Sequence, residues 1–407
     1  MNRVTTRRIM IIVVLLMTAL SVESVSAETD DQEEALVVRN NSTRTAKSTQ
    51  LEFPDMLARF APVPTYDFDY PDAVRGIYVT GNSAGGSHFD SLVDLVDTTD
   101  LNAMVIDIKE DHGYVTYQPE EELPYEGVSK NLMNVEEVLE RLSEKNIYPI
   151  ARIVVFKDSM LAEARPDLSF QENGEVWVNG KKEAFVNPFQ KEVWDYNIDI
   201  AKKVAQLGFK EIQFDYVRFP EGFEKRDQEL EYAQGDYQDS DLDDIKKRVE
   251  AVTDFVSYAR EELAGYNVDV SVDIFGYAAT IEETPGIGQN FSKIADNVDV
   301  ISSMIYPSHW TSYFGIEKPD TEPYRLVTEY AKVENKVLEA LDDPPVSRPW
   351  IQDFDAPWLY SGPTFHYGAK EVEAQIKALQ ENGIDEYLIW NAGNSYTKGV
   401  DYTPASD

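Results

Sequence analysis

Two hydrophobic rhythms alternate along the chain from about residue 74 to residue 391. One is a short, nearly continuous apolar run, found at 74–80, 103–109, 148–156, within 208–220, and at 268–275, 298–306, 348–354 and 387–391. Runs of that length and continuity suit strands buried on both faces. The other is a helical period with its apolar residues on one stripe. It passes through Phe89, Leu92, Val93 and Val96, then Val135, Val138, Leu139 and Leu142, then Val193, Tyr196, Ile200, Val204 and Leu207. It returns at Ile245, Val249, Val252, Val256, Ala259 and Leu263, at Leu326, Val327, Tyr330 and Val337, and at Val372, Ile376 and Leu379. Repeated strand–helix units imply a parallel sheet. Eight of them predict an α/β protein of the (β/α)8 barrel type, with an open α/β sheet as the alternative. No helical period follows Trp390, so the eighth helix is expected to be weak or absent, and 51–60 could cover the gap.

The breaks between these elements carry further expectations. The Gly-rich stretch 81–87 has neither the Walker nor the dinucleotide spacing, so it reads as a turn with a helix N-cap at Ser87. Turn signals around a strand-like centre at 171–180 predict a small hairpin. The acidic, aperiodic stretch 221–240 predicts a solvated insertion. Upstream, Arg3, Arg7 and Arg8 precede an apolar run at 9–20 and the small residues Val25-Ser26-Ala27. This is the pattern of a secretory signal peptide over 1–27. Residues 28–60 are polar and read as a disordered linker, which leaves 61–400 for the barrel.

Composition narrows the function. The chain has 407 residues, 37 basic against 74 acidic, for a net charge of −37. Such a field repels nucleic acid and anionic lipid, so a nucleic-acid partner is excluded and membrane contact is expected only through an uncleaved signal anchor. Cysteine is absent. That removes thiol nucleophiles, thiolate-ligated zinc and disulfides. The expected location is secreted or associated with a bacterial cell envelope.

On the strands, the residues that alternate with the outer apolar face should point into the barrel. By that rule Asp107, Lys109, Arg152, Asp215, Ser271 and Asp273 point inward. Inward charges are costly unless paired. An apolar barrel interior needs none of them, so they favour a site at the carboxyl ends of the strands. Aromatics gather at the same ends: Tyr78, Phe156, Trp177, Tyr216, Phe219, Phe275, Tyr277, Tyr306, Trp310, Phe354, Trp358 and Trp390. A rim of aromatics with carboxylates suits sugars, whose rings stack and whose hydroxyls take hydrogen bonds.

Glycoside hydrolysis needs two carboxylates. Asp215 is the candidate nucleophile, with Arg152 and Arg218 as its candidate counter-charges. Asp273, flanked by Val272, Ile274 and Phe275, is the candidate acid/base because an apolar setting raises a carboxyl pKa. Asp107, Asp353 and Glu282 compete for the second role. The candidate substrate-binding residues are Asp107, Lys109, Arg152, Trp177, Tyr216, Arg218, Tyr306, His309, Trp310 and Trp390. No cofactor is implied. The four histidines, His88, His112, His309 and His366, are widely spaced and give no metal motif.

The strings Arg75–Thr80 and Val105–Lys109, the segments 151–153 and 177–188, and Phe214-Asp215-Tyr216-Val217-Arg218-Phe219-Pro220 together resemble one bacterial family. Val272-Asp273-Ile274-Phe275-Gly276 and Met304–Trp310 extend the likeness, which covers about 74–394. The family is the putative glycoside hydrolase domain family, related to the alpha-amylase-like and alpha-galactosidase-like barrels. The resemblance implies a (β/α)8 fold, a glycan partner (polysaccharide or oligosaccharide) and a nucleophile at Asp215. It leaves the second carboxylate open, since relatives place it on different strands. The rival readings are a carbohydrate-binding barrel without catalysis, a metal-dependent hydrolase and a surface scaffold.

Overall fold

The computed structural model describes residues 66–120, 123–360 and 363–404. The eight apolar runs become β1 (Arg75–Val79), β2 (Ala103–Lys109), β3 (Tyr148–Val154), β4 (Glu211–Asp215), β5 (Asp269–Phe275), β6 (Val300–Met304), β7 (Trp350–Gln352) and β8 (Tyr387–Trp390). Neighbours in chain order pair in parallel. β8 returns to β1 (Arg75↔Tyr387), and β6 meets β7 at Met304↔Trp350, so the sheet closes into a (β/α)8 barrel.

Of the nine α-helices among the described residues, seven cover the barrel after its first seven strands: α1 (Phe89–Asp97), α2 (Val135–Glu144), α3 (Lys191–Leu207), α4 (Asp244–Leu263), α5 (Phe291–Ala295), α6 (Pro323–Leu338) and α7 (Ala369–Gln380). Two short ones lie in the loops: Gly81–Ala84, capped by Thr80, where the sequence predicts a turn, and Ser159–Ala164, capped by Asp158. Side-chain caps fix several of their starts. Asn134, Asp243 and Asn290 accept backbone N–H groups at the first turns of α2, α4 and α5. Gly208, at φ 124°, ends α3 and turns the chain into β4. α5 was not foreseen, because five residues are too few to show a helical period. The cap expected at Ser87 is not used: His88 precedes α1, with no side-chain capping bond.

Among the described residues no helix follows β8. The tail takes its place. Val400 and Tyr402 are buried, the Asp401 amide donates to Glu373 on α7, and Thr403 Oγ1 donates to Asp100 beyond α1. The segments 1–27, 28–60 and 51–60 invoked from the sequence lie outside the described residues.

The 171–180 hairpin is present, as Gln171–Glu172 against Glu175–Val176. The 221–240 insertion differs from its expected solvated form. Phe223 and Leu230 are buried, and Phe223 packs against Phe170 and Phe219 with ring centroids 4.7 and 5.1 Å away. A backbone bridge joins Gln171 to Glu231, so the loops after β3 and β4 form one wall of the barrel mouth. Sparse aromatics, lacking any period, supply this packing, which is why an acidic composition concealed it.

Inside the barrel the side chains lie in layers. Ala103, Val105, Tyr148, Ile150, Trp350 and Leu388 form an apolar cluster separate from the outer core of Met104, Ile106, Ile108 and their neighbours. Below it, at the amino ends of the strands, Arg348 is fully buried. It donates to Glu211 at 2.7 Å, to Glu386 at 2.8 Å and to the Tyr70 hydroxyl at 2.9 Å. This is a satisfied structural ion network. Above the apolar layer is the site.

One inward assignment fails. The β2–β3 register slips between Asp107 and Lys109. A bulge of this kind breaks the two-residue alternation. Lys109 therefore leaves the interior and is buried against α3. Its Nζ lies 2.6 Å from Asp158 Oδ2 and donates to Asn197 Oδ1 at 3.1 Å and to the Val154 carbonyl at 2.7 Å.

Candidate active site

β2, β3, β4 and β5 bring Asp107, Arg152, Asp215 and Asp273 to the carboxyl end of the barrel. Arg152, 1% exposed, is their hub. Nη1 donates to Asp107 Oδ1 at 2.5 Å and Nη2 to Asp111 Oδ1 at 2.8 Å. Nε and Nη2 both donate to Asp215 Oδ2, at 3.0 and 2.6 Å. Lys157, the second residue after Val155, extends the network to Asp111 at 3.1 Å and Glu183 at 2.9 Å. Tyr78 donates its hydroxyl to the other oxygen of Asp107.

This mixture separates the acids. Burial, aided by the Asp111 charge, pushes Asp107 up to about 6, although Arg152 and Tyr78 pull the other way. Burial also acts to raise Asp111, but Arg152 and Lys157 outweigh it and hold that carboxyl at about 2. Asp273 is 2% exposed, and burial followed by the Asp215 charge drives it well above the carboxylate range. The Trp350 indole, donating to Asp273 Oδ1 at 2.7 Å, opposes that shift.

Asp215 and Asp273 lie level on adjacent strands, since Gln213 pairs with Ser271. The Tyr216 amide turns back to donate to Asp215 Oδ1 at 2.5 Å. That turn puts Tyr216 at φ +52°, a left-handed conformation that costs a bulky residue energy. Such strain, held by bonds from the Arg218 and Phe156 amides to the Tyr216 carbonyl, gathers at functional sites.

An aromatic wall stands opposite. Trp390 stacks on Tyr78 with centroids 4.1 Å apart and meets Trp350 edge-on at 5.5 Å. Tyr306 contacts Trp390, Phe354 and His309, and Phe354 stacks on Trp358, which is 65% exposed. Beside the carboxylates a pocket of about 280 Å³ is lined by Tyr78, Thr80, Asp107, Asp111, Thr116 and Leu132, among others.

Of the residues singled out from the sequence, Asp107, Arg152, Asp215, Asp273, Tyr216, Tyr306, His309 and Trp390 meet at this mouth. Lys109 does not, for the reason given above. Trp310 is buried against Tyr313, Phe314 and Tyr330, and Phe156 and Phe219 are core residues. Trp177 is half-buried in the hairpin, its amide bonded to the Phe170 carbonyl. Arg218 is at the mouth but makes no hydrogen bond to Asp215; it donates to the Phe219 carbonyl and to Glu221. Sequence reasoning missed Asp111, Lys157 and Trp350. Each follows from position alone: the first two lie just beyond strand ends, and Trp350 alternates with Ile351. Among the described residues no group of three or more His, Asp or Glu side chains is arranged to hold a metal ion.

A closed (β/α)8 barrel with carboxylates and aromatics at its carboxyl-terminal mouth defines a protein of the glycoside hydrolase type. The chain belongs to the family described as "Putative glycosyl hydrolase domain", whose model matches residues 76–396. No curated protein matches it. Among solved structures it is similar to the PgaB (BpsB) glycoside hydrolase domain from Bordetella bronchiseptica. That match has 14% identity, covers 78% of this chain and 94% of that one, and has a TM-score of 0.55. Similarity to the beta-galactosidase from the psychrophilic Marinomonas ef1 is 12% identity over 78% of this chain and 54% of that one, TM-score 0.51. These two likenesses are of fold alone. A hypothetical protein from Ruminiclostridium thermocellum ATCC 27405 is 34% identical over 48% of this chain and 96% of that one, TM-score 0.42. Family and fold together support a glycosidase function.

Proposed function

We propose that this protein is an exported glycoside hydrolase that cleaves a polysaccharide or cell-envelope glycan with two carboxylates. Asp215 is the nucleophile and Asp273 the acid/base. The observation that carries this reading is the pairing on β4 and β5. One carboxylate is fixed by Arg152 and by its own neighbour's amide, and its partner, level with it, is driven toward the protonated form. Asp215 would attack the anomeric carbon while Asp273 gives its proton to the departing oxygen and then takes one from water. The aromatic wall would stack on sugar faces. Export rests on the basic, apolar and small-residue order of 1–27.

The test is hydrolysis of a panel of envelope glycans and exopolysaccharides, followed by reducing-end release, with Asp215→Asn as control. Cleavage by the wild type that disappears in Asp215→Asn is expected. Cleavage that survives in the variant excludes Asp215. Binding without cleavage by either protein would instead describe a non-catalytic carbohydrate-binding barrel.

One observation favours a second assignment of the acid. Asp107 lines the pocket, whereas neither Asp215 nor Asp273 does, and burial pushes its carboxyl up to about 6. An aryl glycoside with a good leaving group separates the two. Loss of the true acid spares that substrate while slowing a natural linkage, so whichever of Asp107→Asn and Asp273→Asn shows the split is the proton donor.

A further inference from the structure

We infer that the cleft takes a glycan whose sugars carry carboxylate groups, and that Arg218 receives one of them. This deepens the glycosidase reading and rests on it for where the glycan lies. With a net charge of −37, the protein repels an acidic polymer at long range, so recognition of an anion must be local and sheltered from solvent. Asp107, Asp111, Asp215 and Asp273 share this mouth, so the cation that receives an anion must be one whose donors those carboxylates do not occupy.

Arg218 lies three residues beyond Asp215 and is 5% exposed. Its guanidinium carbon is 4.6 Å from the Tyr216 ring centroid and 4.7 Å from that of Phe275. Stacking between rings fixes the guanidinium plane and leaves its N–H edges for a planar partner.

Those edges are poorly used. Nη1 donates to the Phe219 carbonyl at 3.2 Å, and Nη2 to Glu221 at 3.3 Å. The Glu221 side chain is 72% exposed, so this long rim pair is weak. Arg152, Arg248 and Arg348 are also buried, and each ends on a mostly buried carboxylate at 3.0 Å or less. Arg218 is the exception, a buried cation with unused donors out of five. A sugar carboxylate entering in the guanidinium plane would displace Glu221 and form two parallel charge-assisted bonds.

Lys157 lies 4.6 Å from the same Tyr216 ring centroid but is already paired with Asp111 and Glu183, which leaves Arg218 as the cation with donors to spare.

The test uses the full chain carrying Asp215→Asn, so that nothing is consumed. Affinity electrophoresis compares polygalacturonate, alginate and hyaluronan, each against its carboxyl-reduced form. At least one acidic polymer should bind about tenfold or more tightly than its reduced partner, the size of a charge-assisted hydrogen-bond pair. Adding Arg218→Gln should bring that ratio close to one. If no acidic polymer is preferred, or if Arg218→Gln weakens both forms and leaves the ratio intact, the inference is wrong. Should Arg218→Gln fail to fold, Arg218→Lys, which keeps the charge but loses the planar fork, should lower the ratio about twofold to fivefold, and an unchanged ratio overturns the inference. Hydrolysis by the wild type is scored separately. A charge-dependent preference without cleavage sinks the glycosidase reading and keeps this one; cleavage confined to neutral glycans does the reverse.

Discussion

Arg152→Met removes the cation that Asp107 and Asp215 share, and the structure sets both the size and the pH dependence of the loss. The side chains of Arg152, Asp107 and Asp215 are 1%, 3% and 6% exposed. Asp111, 43% exposed and still held by Lys157, contributes little to the penalty. Breaking a buried ion pair costs about 3–5 kcal/mol, mainly because a carboxylate is left charged without a partner. Such a group can escape by taking a proton. From an ordinary value of about 3.9, that costs about 1.4 kcal/mol for each pH unit above it. Burial already pushes Asp107 up to about 6 in the wild type. A raised carboxyl value means that the folded state holds the proton more tightly than the unfolded one. Stability from that group is therefore greatest at low pH and is lost between the ordinary value and about 6. Removing Arg152 lifts the folded value further, so for Asp107 the variant and wild type part company only above about 6. Urea unfolding followed by tryptophan fluorescence should show a penalty of about 3–5 kcal/mol at pH ~7.5, shrinking to about 2 kcal/mol or less at pH ~5. An equal or larger penalty at the lower pH would refute the claim that unpartnered carboxylate charge is what the arginine relieves.

Trp350→Phe deletes the donor to Asp273 while keeping a ring in place. That bond favours the charged carboxylate, so its loss raises Asp273 further, and the basic limb of the kcat profile should move up by about one pH unit. A basic limb that does not move speaks against Asp273 as the proton donor. Lys109→Met should cost about 3–5 kcal/mol by orphaning buried Asp158, and adding Asp158→Asn, which removes the charge but keeps the Oδ1 that accepts the Leu161 amide, should recover part of it. Glycan affinity of the folded single variant should hold; a fall without destabilisation would return Lys109 to the cleft.

The barrel was legible because its rhythm is simple. Strands buried on both faces become continuous apolar runs, and the long helices keep one stripe each, so β1 to β8 and the covering helices other than α5 follow from spacing, whereas Gly81–Ala84 and Ser159–Ala164 are too short to show a period. Alternation also placed Arg152, Asp215 and Asp273 inward. It failed at Lys109 because a bulge is a hydrogen-bonding choice between two strands, and neither strand's sequence carries it alone. The aromatics were over-read for a related reason. Position near a strand end does not say whether a ring faces the mouth, as with Trp358, or the helices, as with Trp310. Tyr70 could not be connected to Arg348 and Glu386 at all. Sequence separations of hundreds of residues become contacts only once the ring has closed.

Inward charge is therefore not evidence of a site by itself, since this barrel has two such networks. At the amino end, Arg348, Glu211, Glu386 and Tyr70 satisfy one another, and Ser271 completes Glu211 at 2.6 Å. These groups bond one another at the closed end, where such a plug serves stability, and Asp269 beside Glu211 is itself pushed up to about 7 by burial and the Glu211 charge. At the carboxyl end Arg152 has more carboxylates than one cation can neutralise. Asp107 and Asp273 are pushed toward their protonated forms, Asp111 is half-exposed, and the carboxylates Asp107 and Asp111 border an open pocket. Excess acid occurs at both ends, so what marks the carboxyl end is the open pocket that Asp107 and Asp111 border. A glycan's hydroxyls, and protons moved during glycosidic cleavage, are the partners that such a surplus suits. The distinction is testable on stability alone. Arg348→Met, whose orphaned carboxylates include Glu211 at the closed end, should destabilise without touching a pH–activity profile, whereas Arg152→Met should alter both.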